Sequence, residues 1–205
     1  MSSRYCSQCG KALKACICQY IMPLKSEVEL IILQHPTEAH RPMGTARILS
    51  LSLNHHYHIV GENFSDNNEL NQLLEDTNYR HYILYPNENA REVDAHKIIL
   101  GENKKKIRII LLDGTWKKAF KMWQLSANLK ALPSLKLPVD LKGNYRIRKA
   151  PGSNSLSTVE AGFHILTLLQ PDKDFTSLLR TFDQMIDFQI SQMPSGVYER
   201  NYLKD

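Results

Sequence analysis

A chain of 205 residues, 42% hydrophobic and 23% charged, fits one globular domain with a small appendage and can bury a core without staples. No apolar run nears the roughly 20 residues of a membrane span, and the N-terminus lacks a charged-then-apolar leader, so the expectation is a soluble, cytoplasmic protein with no membrane partner. Lys and Arg outnumber Asp and Glu 26 to 21, a net charge of +5. The cations cluster at Lys104, Lys105 and Lys106 with Arg108, at Lys117, Lys118 and Lys121, and at Lys142, Arg146, Arg148 and Lys149. Together they suit a polyanionic partner; any one cluster alone suits a solvated face.

All four cysteines fall in the first 18 residues, as Cys6-x2-Cys9-x6-Cys16-x-Cys18. Two close pairs joined by a short loop can present four thiolates to one Zn²⁺ as a closed, structural knuckle. Disulfides suit a cytosolic chain poorly, and an iron–sulfur cluster prefers other spacings. Arg4, Lys11 and Lys14 flank the knuckle, where they can touch RNA or stay solvated. The organisation expected is a knuckle over residues 1–22 and a main domain over 23–205.

Residues 28–33, VELIIL, form a strand that Pro36 ends, since proline lacks a donor. His35 and Glu38 then lie just past a strand end, where they meet a ligand or simply hydrogen-bond within the loop. A second turn, residues 40–44, carries Arg41, and Thr45 caps a helix running to about residue 53. His55, His56 and His58 alternate along a strand to Val60, a spacing that does not fit one coordination sphere. A short helix over 68–75 and a strand over 79–85, closed by Pro86, follow. Residues 87–90 turn at another carboxyl end, and a short apolar piece over 96–100 precedes the basic run at 104–106.

The apolar run over residues 107–112 has the length and Ile/Leu content of a strand buried on both faces of a parallel sheet. It ends in Asp113-Gly114-Thr115-Trp116. Gly114 permits a tight turn or close backbone approach, and Thr115 is a good N-cap for a helix with Trp116, Phe120 and Trp123 at helical spacing. In open α/β sheets ligands bind at strand carboxyl ends, where Asp113 sits. After Trp123 a short strand, 135–137, lies between Pro133 and Pro138, and a long basic loop spans 143–154; loops of that length are usually functional or disordered. Ser157 or Thr158 caps the next helix, with Glu160 in its first turn and its free amides suited to a polar ligand. A helical stripe of Leu178, Leu179, Phe182, Met185, Ile186 and Ile190 fills 175–193. Strands alternating with helices argue an α/β fold with a largely parallel sheet.

The N-terminal C-x2-C…C-x-C, the strand ending in Asp113-Gly114-Thr115-Trp116, and Arg148 with Leu156-Ser157-Thr158 opening a later helix together resemble the DTW-domain proteins, named for a D-x-T-W pattern. The resemblance spans nearly the whole chain. It implies transfer of the 3-amino-3-carboxypropyl (acp) group from S-adenosylmethionine to N3 of a tRNA uridine, in the variable loop for bacterial members. The fold implied is SPOUT-like, a mostly parallel sheet with a C-terminal trefoil knot. By position, S-adenosylmethionine would lie among Leu84, Tyr85 and Pro86, Leu112, Asp113, Gly114, Thr115 and Trp116, and Leu156, Ser157 and Thr158. Asp113 would be the base for uridine N3–H or a positioning group; Trp116 would stack on adenine or the target base, or belong to the core. Arg41, Lys104, Lys105, Lys106, Arg146, Arg148 and Lys149 would face tRNA, and Cys6, Cys9, Cys16 and Cys18 would hold the zinc. A monomer is favoured. Two rivals stand beside this reading: a SPOUT-like RNA methyltransferase using the same donor, and a zinc-bearing RNA-binding protein without turnover.

Overall fold

The computed structural model describes residues 4–39, 41–95, 98, 105–141, 143, 145–147 and 156–202. Its strands, β1 (Val28–Gln34), β2 (His56–Val60), β3 (Tyr79–Leu84), β4 (Arg91–Glu92), β5 (Lys106–Asp113) and β6 (Ser134–Lys136), form one sheet in the order β2-β1-β5-β3-β6-β4. Every pairing is parallel, so all carboxyl ends share one edge. β5 is threaded between β1 and β3, and Gln34 lies opposite Asp113 at that edge.

The two central strands are apolar because helices cover both faces. Leu30, Ile32, Ile109 and Leu111 pack against α1 (Ala46–Ser52), α5 (Thr158–Leu169) and α6 (Thr176–Ser191). Ile31, Leu33, Ile83 and Ile110 meet α2 (Asn68–Glu75), α3 (Trp116–Leu125) and α4 (Ala127–Lys130) on the other face. A final helix, α7, spans Val197–Tyr202. Among the described residues no helix is long and apolar enough to cross a membrane.

Several expectations are corrected. Pro36–Glu38 is a turn of 3₁₀ helix rather than plain loop. Thr45 precedes α1, but its side chain makes no capping bond. The two-residue β4 was not expected; both its residues are exposed, so no hydrophobic pattern marks it. Arg108 is not part of a solvent-facing basic cluster. It is 3% exposed, donates to Glu29 Oε2 at 2.8 Å and to the Leu73 carbonyl at 2.8 Å, and lies 3.5 Å from the Tyr79 ring centroid. Tyr79 in turn donates to the other Glu29 oxygen, so the buried charge is fully partnered, as burial requires.

The N-terminal segment is docked on the main body. Cys9 and Ile17 join the larger core cluster, Thr181 Oγ1 on α6 donates to the Tyr20 carbonyl at 2.8 Å, and Leu24 bridges to Leu53. Lys11, expected near solvent or RNA, is instead buried and donates to the Pro42 carbonyl. Most of the 96–100 piece and of the 143–154 loop lies outside the described residues.

Candidate functional site at the carboxyl edge of the sheet

A cavity of about 420 Å³ opens at the carboxyl ends of β5, β3 and β6. Leu84, Tyr85 and Pro86 line one wall, Leu111, Leu112, Gly114 and Trp116 a second, and Leu156, Ser157 and Thr158 a third. A fourth wall, Leu135–Lys136–Leu137–Pro138 with Val139 and Leu141, was not anticipated. The prolines that flank its strand, Pro133 and Pro138, read as punctuation, and only the placement of β6 beside β3 turns the segment toward the other loops. The volume and apolar lining suit a small organic ligand with few polar anchors.

Asp113 and Thr115 are not among the lining residues. Thr115 is exposed and caps α3, accepting from the Lys118 amide. A Cβ at Gly114 would meet Lys118 Cβ at 3.1 Å, so a side chain there would make α3 give by a few tenths of an ångström. Trp116, at 42% exposure, is cavity wall rather than core. Trp123 is half-buried and stacks on Tyr85 at 5.2 Å; burial raises the Tyr85 phenol above its usual range.

Asp113 is 6% exposed and fully engaged. Gln34 Nε2 donates to Oδ2 at 2.7 Å, and Thr158 Oγ1 donates to Oδ1 at 2.5 Å. With its amide nitrogen facing Asp113, Gln34 presents Oε1 to His58 Nε2 at 3.1 Å. That nitrogen therefore carries the proton, and Nδ1 lies 3.1 Å from Ser50 Oγ. Burial lowers the His58 imidazole below its usual range, against the pull of the Asp113 charge. One polar chain thus runs from β2 through β1 and β5 to the start of α5. Ser157 caps that helix in a reciprocal box with Glu160: its amide and hydroxyl donate to Glu160 Oε2 at 2.7 and 2.6 Å.

On the opposite flank of Gly114, His35 is 8% exposed. Its Nδ1 accepts from the Thr37 amide at 3.2 Å, so Nε2 donates to Glu62 at 2.9 Å. Lys121 and His35 hold Glu62 below the usual carboxylate range. Glu38 pairs with Lys118 at 2.6 Å and Arg41 at 3.1 Å. His35 and Glu38 therefore tie β1's exit to α3. His56 Nδ1 lies 2.9 Å from the Leu53 carbonyl, apart from His58.

The cysteine sulfurs lie within 4.8 Å of one another, with Cys6 to Cys18 at 3.6 Å and Cys9 to Cys16 at 3.8 Å. Tetrahedral zinc with Zn–S of about 2.3 Å needs S···S edges of about 3.8 Å, so the four residues fit the ion. Without metal, the amides of Cys9 and Gln8 bring Cys6 down to about 6, while burial and neighbouring thiols push Cys18 up to about 12.

The expected RNA-facing cations scatter. Arg146 pairs with Asp187 at 2.7 Å and Arg41 with Glu38. Lys105 and Lys106 lie at the amino end of β5, roughly 23 Å of strand from Asp113 at about 3.3 Å per residue. Lys104, Arg148 and Lys149 fall outside the described residues.

A family model described as "DTW domain" matches residues 3–190. A tRNA-uridine aminocarboxypropyltransferase 2 of Mus musculus is 27% identical over 203 residues, covering 97% of this chain and 67% of that protein. Its namesake in Macaca fascicularis is 28% identical over 192 residues, 90% of this chain and 63% of that protein. The Drosophila melanogaster namesake is 26% identical over 193 residues, 90% and 74% respectively. The chain thus spans about two thirds of the length of the first two relatives.

Proposed function

Because the chain belongs to the DTW-domain family, we propose that it transfers the acp group from S-adenosylmethionine to N3 of a uridine in the tRNA variable loop, releasing methylthioadenosine. The observation that carries this reading is the cavity. Three segments far apart in sequence, at 84–86, 111–116 and 156–158, converge on it at the edge where α/β sheets take ligands. The relatives' names supply the reaction class.

In this reaction the N3–Cγ bond forms as the Cγ–sulfur bond breaks, the sulfonium leaves as a neutral thioether, and the N3 proton passes to a base or water. The apolar walls exclude water from the sulfonium, and Trp116 flanks the donor or the target base. Asp113 is a positioning residue: it accepts from Gln34 on one oxygen and Thr158 on the other, does not line the cavity, and holds the start of α5 against the end of β5. Cys6, Cys9, Cys16 and Cys18 would hold zinc, which cross-links the N-terminal segment and leaves no open coordination position. The sheet, with β5 inserted between β1 and β3, is compatible with the SPOUT-like assignment, and the chain after β6 would form the trefoil knot.

Incubating protein, tRNA and S-adenosylmethionine and identifying the small product tests the reading. Methylthioadenosine with acp-uridine in the tRNA is expected. S-adenosylhomocysteine would establish a methyltransferase instead, and no turnover would favour a binding protein.

A further inference from the structure

Beside the cavity, α3 exposes two aromatic rings that the fold does not use. Trp116 forms part of the cavity wall at 42% exposure; Phe120, one turn further along the same face, is 52% exposed and is not among the residues lining that cavity. The core face of this helix is Ala119 and Met122, both buried. At 100° per residue, Phe120 lies between that core edge and an outward ridge of Lys117, Lys121 and Gln124. The helix carries no acidic residue, WKKAFKMWQL. Lys117 makes no ion pair among the described residues, while Lys121 reaches the partly exposed Glu62 at 2.9 Å with 58% of its side chain still open. Across the cavity mouth, Lys136 and Val139 are exposed on the far rim.

We propose that α3 is the RNA-docking helix of this protein: Phe120 is a stacking platform for an unpaired nucleotide next to the target uridine, with Lys117 and Lys121 receiving its phosphates. This rests on the proposed tRNA substrate and deepens it by naming the surface. An exposed aromatic bordered by lysines is the pairing that single-stranded nucleic acid uses, a π-face for any base and cations for the backbone. A second copy of this chain would have to cover the same ring while desolvating Lys117 and Lys121 beside it, which the charge opposes. A uridine must be unpaired for its N3 edge to be alkylated, and a neighbouring base stacked on Phe120 holds the strand single at the cavity mouth.

The test measures tRNA binding by fluorescence anisotropy for wild type, Phe120→Ala, Phe120→Trp and Lys117→Glu. Loss of one stacked base is expected to weaken binding about 5- to 150-fold for Phe120→Ala, with Phe120→Trp restoring it. Lys117→Glu is expected to weaken binding and flatten its salt dependence. Thermal stability and S-adenosylmethionine affinity should stay unchanged in all three variants. Unchanged tRNA affinity in both Phe120→Ala and Lys117→Glu overturns the proposal, as does a Phe120-dependent shift in oligomeric mass without effect on tRNA. Product analysis is independent: tRNA binding that depends on Phe120 without acp-uridine formation refutes the activity and leaves the docking helix standing. A wild type that does not bind tRNA refutes both.

Discussion

Replacing Asp113 separates its two conceivable roles. In Asp113→Asn the side-chain oxygen can still accept from Gln34 Nε2, and the new amide can donate to Thr158 Oγ1, because a threonine hydroxyl rotates from donor to acceptor. Positioning therefore survives, and kcat for acp transfer is expected to stay within about tenfold of wild type. Asp113→Ala removes both bonds and leaves the buried Gln34 amide and the partly buried Thr158 hydroxyl unpaired, each costing about 1–3 kcal/mol. A total near 2–6 kcal/mol would lower Tm by roughly 4–24 °C, at about 2–4 °C per kcal/mol for a chain of this size. Because Thr158 lines the cavity, the Ala variant should also raise KM for S-adenosylmethionine more than it lowers kcat. The assay is steady-state and single-turnover acp transfer across pH with parallel thermal melts. General-base loss costs about 10²–10⁴ in rate. A drop of that size in Asp113→Asn, with Tm and KM intact and one limb of the pH profile gone, would refute the positioning assignment.

Arg108→Ala should cost about 3–5 kcal/mol by stranding the largely buried Glu29 charge, with no direct loss of tRNA contacts; weaker tRNA binding in a fully folded variant would contradict its structural role. Gly162→Ala would bring a Cβ within 2.7 Å of Leu49 Cδ2. Overpacking of about 1–3 kcal/mol against a helix-propensity gain near 1 kcal/mol leaves it about 1 kcal/mol less stable by urea melt, and a stabilised variant would show slack between α1 and α5. Purified reduced protein should contain one zinc per chain, and chelation should lower Tm because Cys9 and Ile17 belong to the core; a metal-free protein with unchanged Tm would remove the knuckle's structural role. Burial lowers the pKa of His58, His81 and His164. Below the ordinary pKa near 6.5 the unfolded chain binds protons that the folded one refuses, so stability is full above that pH and falls as pH drops from 6.5 toward 5. A Tm that is flat or rising over that window would contradict this.

What could be read from sequence follows burial. The runs in β1 and β5 announce themselves because both faces are covered, and the start of α5 is marked by a cap that acts within three residues, Ser157. Long-range pairing is invisible to such reasoning. Arg108 sits beside three lysines in sequence, yet its partner Glu29 becomes adjacent only through the β1–β5 register. Gln34 reads as the first loop residue past a strand over 28–33, until β1 extends to it and the register sets it against Asp113. The fourth cavity wall escaped for the same reason: its segment carries no polar motif and gains meaning only from β6 pairing with β3. Lys11 is buried by a contact with Pro42, 31 residues away.

The central claim is tested most directly by the fate of the donor. Purified protein given tRNA and S-adenosylmethionine should release methylthioadenosine in amounts equal to the acp-uridine formed. Release of S-adenosylhomocysteine, or a tRNA mass increased by a methyl group alone, would contradict it.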